Sequence, residues 1–88
     1  MISKEDCIAF CGLTAEEVDA IAEHEHLGDV AASALAHYLL HMEHGAERIR
    51  TMILDDIRSA LRDGRTAHAG DLMAALRHFL AEHPEARA

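Results

Sequence analysis

The sequence predicts an all-α fold: a compact antiparallel bundle of four main helices preceded by one short N-terminal helix. Three observations predict it. Apolar residues recur at three- and four-residue spacing, and no stretch keeps the period of two that a half-buried strand shows. Glycines fall between these stretches, where helices end. The connections left over are two to four residues long, which favours antiparallel neighbours within a single domain spanning 1–88.

Each element has its own signals. Ser3 caps the short helix expected over 3–11, Glu5 and Asp6 occupy its positive first turn, and Gly12 ends it. Thr14 followed by Glu17 is a capping box that opens a helix over 14–27, with Val18, Ile21, Ala22 and Glu25 on one face. Asp29 is placed to cap the helix over 29–44. Its apolar residues Val30, Ala31, Ala34, Leu35, Tyr38, Leu39, Leu40 and Met42 run nearly all round, which marks it as the central helix. Gly45 ends it. The helix over 46–62 carries a stripe of Ile49, Met52, Ile53, Ile57, Ala60 and Leu61, and Gly64 follows it. The last helix, over 66–83, buries Leu72, Ala75, Leu76, Phe79 and Leu80; Pro84 stops it and leaves a frayed tail over 84–88.

Composition narrows the function. The 88 residues include 17 Ala but only 20 Leu, Ile, Val and Phe, so the core is small and gains from a partner surface or a bound ion. Sixteen acidic residues against eight basic ones give a formal charge of −8, the wrong sign for DNA or RNA. The six arginines from Arg48 to Arg77 are interleaved with Asp55, Asp56, Asp63 and Asp71 and form no basic stripe. An anionic membrane surface is disfavoured by the same charge, and no apolar run approaches the length of a bilayer span. Cys7 and Cys11, spaced i, i+4, are too few for a disulfide framework, and the opening is too polar for a signal peptide. A cytoplasmic protein is expected.

Eight histidines stand out. Within Glu23-His24-Glu25-His26, the pair Glu23 and His26 has the Glu-x-x-His spacing that carboxylate di-iron bundles use twice. No second pair follows position 26, so no oxidase chemistry is carried over. His37, His41 and His44 fall within about 60° of one another on a helical wheel. His37 and His41 share the spacing of the zincin pair but lack its glutamate base. Glu25 and Asp56 lie on faces otherwise apolar, and a carboxylate facing a core must be paired, hydrogen-bonded or coordinated.

Two function classes follow. The first is a small acidic helical protein acting by self-association, as a dimer, or by binding a protein partner, with no catalysis of its own and no cofactor requirement. The second is a metal-binding protein with one Fe, Mn or Zn ion held by Glu25, His37, His41 and Asp56, with Glu23, His26 and His44 in reserve, and with catalysis open to it. A third reading makes the histidines a pH-responsive interaction switch.

Overall fold

The computed structural model of the chain describes residues 13–87. Four helices follow one another, α1 (Ala15–Glu25), α2 (Asp29–Leu40), α3 (Gly45–Arg62) and α4 (Thr66–Glu82), and a 3₁₀ turn, Pro84–Arg87, comes after them. The short extra helical element therefore sits on the C-terminal side of the bundle, not ahead of it as expected. The helix expected over 3–11, with both cysteines, lies outside the described residues.

The capping box forms. Thr14 Oγ1 accepts from the Glu17 backbone N–H at 3.3 Å, and Glu17 Oε1 accepts from the Thr14 N–H at 3.0 Å. Two otherwise orphaned donors are satisfied at once. At the other end of α1, His26 adopts the left-handed conformation (φ 56°), and the Leu27 N–H reaches back to the Ala22 carbonyl at 3.0 Å. That bond is the signature of a Schellman ending.

α2 differs most from expectation. It stops at Leu40, four residues early, and Gly28, not Asp29, is its N-cap. Residues 41–44 form a tight turn, with Met42 N–H bonded to the Leu39 carbonyl and His44 left-handed at φ 61°. Gly45 is the first residue of α3, and it crosses the end of α2 so closely that a Cβ there would lie 1.5 Å from the Leu39 carbonyl oxygen. The glycine serves close approach of two backbones.

α2 is also not the central helix. Among the described elements it packs against α1 and α3 alone, whereas α3 touches every other one and meets α4 most extensively. An apolar circumference marks a central helix only when neighbours surround it, and the described elements do not surround α2. α3 buries Ile49, Met52, Ile53, Ile57 and Ala60 along one stripe, with Asp56 among them. α4 contributes Ala69, Leu72, Ala75 and Phe79. Among the described residues, eight of the eighteen buried apolar ones are alanines, which lets helices approach closely but removes little apolar area from water.

The expected frayed tail is instead tied down. Ala86 is fully buried, and its carbonyl accepts from Arg50 Nη1 at 2.7 Å. His83 sets its ring edge-on to Phe79, with centroids 4.6 Å apart. No described helix is long and apolar enough to cross a membrane.

Candidate functional site

The early end of α2 disperses the expected metal ligands. His41 becomes the residue that caps the helix, and its Nδ1 donates to the His37 carbonyl at 2.7 Å. The His37 and His41 rings lie 4.4 Å apart, tilted at 52°. His44 has left the helix altogether and faces Glu47 at 3.2 Å and Glu43 at 3.5 Å. His26 is exposed in its left-handed turn. Glu25 is exposed at the last turn of α1, 2.6 Å from His24 Nδ1, and does not face the core. Asp56 does face inward, but its electrostatic neighbours are Glu23, His24, Asp55 and His68, none of them from α2.

Among the described residues, no group of three or more His, Cys, Asp or Glu side chains is placed to hold a metal ion. The Glu25–His37–His41–Asp56 centre and its Fe, Mn or Zn ion are therefore withdrawn, and the histidines do not act as one metal-binding feature. Chemistry agrees with geometry at His24. Its Nδ1 faces Glu25 and its Nε2 faces Asp55 Oδ2 at 3.3 Å. A ring that donates from both nitrogens is protonated and has no lone pair for a metal. Burial works against the charged ring, but the Glu25 and Asp55 carboxylates outweigh it and raise the His24 pKa above 6.5.

The structure assembles instead a carboxylate-rich junction where α1, α3 and α4 meet. Glu23 accepts from His68 Nε2 at 2.7 Å and lies 3.8 Å from Arg65. Beside it a cavity of about 330 Å³ is lined by Glu23, His24, Asp55, Asp56, Ser59 and Arg65, among others. Asp56 is only 6% exposed, and its Oδ2 has no hydrogen-bond partner among the described residues. Burial pushes the Asp56 carboxyl up to about 6; Glu23 and Asp55 push the same way, and His24 and His68 oppose them.

Glu23 also lines a larger groove of about 730 Å³ between α1 and α4. Ala20, Leu72 and Ala75 form its buried apolar bottom, and Glu16, Asp19, Glu23 and Asp71 give it negative walls. No Lys or Arg is among its described lining residues. At one end His78 Nδ1 donates to Glu17 Oε2 at 2.9 Å. The Glu17 carboxylate, by hydrogen bond and by charge, raises the His78 pKa. Sequence reasoning missed this pair, taking Glu17 for a cap alone. The two residues are 61 apart, and no local pattern links them.

A second surface feature is the outer side of α2. Val30 is 55% and Tyr38 60% exposed; Ala31 and Ala34 are exposed between them, with Leu27 and Met42 at the two ends. From Val30 to Leu40 there is no Asp, Glu, Lys or Arg. Comparison of the chain with protein-family profiles, with curated proteins and with solved structures finds no match in any of the three.

Proposed function

We propose that this chain is a self-associating helical protein, a homodimer built on the outer face of α2, with no catalysis of its own and a cytoplasmic site of action. The observation that carries the reading is the stripe Val30–Ala34–Tyr38, exposed and uncharged in a chain of formal charge −8. Spacing of i, i+4, i+8 places the three on one side of the helix. Two copies related by a two-fold axis bring the same stripe onto itself, so one self-complementary patch serves both partners. Most other faces carry carboxylates and repel a second copy; α2 is where that repulsion is least. A core rich in alanine gains from the extra burial by mass action.

The test is sedimentation equilibrium on the wild type and on Tyr38→Glu and Val30→Asp, with circular dichroism on the same samples. The expected result is a wild-type dimer and helical monomeric variants. A wild type that stays monomeric at high concentration, or variants that remain dimeric, overturns the reading.

A further inference from the structure

The α1–α4 groove and the Asp56 cavity carry an inference independent of the α2 face. The groove has an apolar bottom and acidic walls; its described lining holds no Lys or Arg, and its two histidines are each engaged by a carboxylate, His68 by Glu23 and His78 by Glu17. The cavity adjoins it through Glu23, which lines both. At the cavity, Asp56 is more than nine-tenths buried and its Oδ2 meets no donor among the described residues. Buried carboxylates are ordinarily paired, because leaving one without a donor costs free energy. His24 cannot repair this, since both its ring nitrogens are engaged by Glu25 and Asp55. Arg65 lies at the rim beside Glu23 and is itself largely exposed. The cavity also abuts the last turn of α1, where the helix carbonyls add negative potential.

We propose that the groove binds a basic amphipathic segment of a protein partner, with one cationic side chain of that segment entering the cavity against Asp56. Small side chains at the bottom, Ala20 and Ala75, leave room for a backbone to lie close. Glu16 and Asp71, on opposite walls, face the flanking positive charges. The cavity volume of about 330 Å³ accommodates the head of a lysine or arginine.

The experiment is fluorescence anisotropy with a labelled lysine–alanine–leucine helical peptide. Its glutamate-for-lysine counterpart and free spermidine serve as comparison ligands. Three variants are compared with the wild type: Asp56→Asn, the groove double variant Glu16→Gln/Asp71→Asn, and a charge-matched control away from the groove, Glu43→Gln/Glu85→Gln. The lysine peptide is expected to bind and the glutamate peptide not to. Asp56→Asn should weaken binding roughly tenfold, as for loss of a hydrogen bond to a charged group. The groove double variant should weaken it about two- to fivefold, as for exposed charge pairs, and the control should leave it unchanged. Thermal melts establish that Asp56→Asn is folded. A control that weakens binding as much as the groove variant, or a folded Asp56→Asn that binds like the wild type, reduces the effect to bulk charge and overturns the proposal. Spermidine binding at the same site as tightly as the peptide overturns it in favour of a free polyamine.

Discussion

His78 on α4 donates to the same Glu17 carboxylate that closes the capping box of α1: Oε2 takes the imidazole at 2.9 Å and Oε1 takes the Thr14 backbone N–H at 3.0 Å. One buried side chain thus starts a helix and clasps that helix to another 61 residues away. Glu17→Ala should therefore destabilise the fold by roughly 1–3 kcal/mol, a helix cap together with a charged hydrogen bond. Glu17→Gln, which keeps an acceptor for the Thr14 N–H, should cost less. It should also return the His78 titration towards 6.5, which NMR of the ring protons measures. An unshifted His78 in Glu17→Gln would show that the contact does not hold the proton.

Asp56 works in the opposite sense. Its carboxyl titrates near 6 in the fold against 3.8 in a free chain, so the folded protein binds the proton more tightly. Stability then falls as pH rises from about 4 to 6, and the ionised group costs on the order of 2 kcal/mol at neutral pH. Asp56→Asn should recover part of that at pH 7.5 and almost none at pH 4. Urea denaturation at the two pH values checks this, and an equal effect at both would locate the cost in packing.

His24 and His78 extend the trend upward. Both pKa values are raised above 6.5, His24 by carboxylates that outweigh its burial and His78 by its bond to Glu17. A raised histidine stabilises the fold fully below its unfolded pKa and loses that contribution as pH climbs through the folded one. The melting temperature should therefore be higher at pH 5.5 than at pH 8. A flat or rising profile over that interval would contradict all three groups together.

Two glycines should respond to the same mutation with opposite signs. At Gly45 a Cβ would meet the Leu39 carbonyl carbon at 2.4 Å as well as its oxygen, and both are backbone atoms. Gly45→Ala should cost at least about 3 kcal/mol, a clash that no rotamer relieves. Gly70, within α4, has nothing within 4 Å of its Cβ position. Gly70→Ala should stabilise by roughly 0.5–1 kcal/mol through helix propensity. Thermal melts of the two variants side by side decide it.

What the sequence made legible was local. The Thr14–Glu17 box, the stripe from Ile49 to Ala60 and the inward Asp56 all arise within a few residues, where spacing and capping chemistry decide. Gly45 misled because a glycine that ends a helix and one that lets two backbones cross leave the same letter. The three-histidine stripe failed for the same reason: it presumed a helix running to 44, and the chain turns at 41. Ala86 and Arg50 are 36 residues apart, so the anchored tail could not be read from periodicity. The acidic junction is likewise a product of how α1, α3 and α4 converge, a choice that several bundles of short helices leave open.

His26 and His44 both hold left-handed backbone angles at the two ends of the α2 segment. These joints select for handedness. An L-residue with an ordinary side chain is strained there, while the mirror-image amino acid is at rest. In a chemically synthesised chain, D-alanine at either position should be accepted where L-valine is rejected. The imidazoles themselves are then incidental to the joints, and glycine or asparagine could take over both positions while the path of the chain stayed as it is.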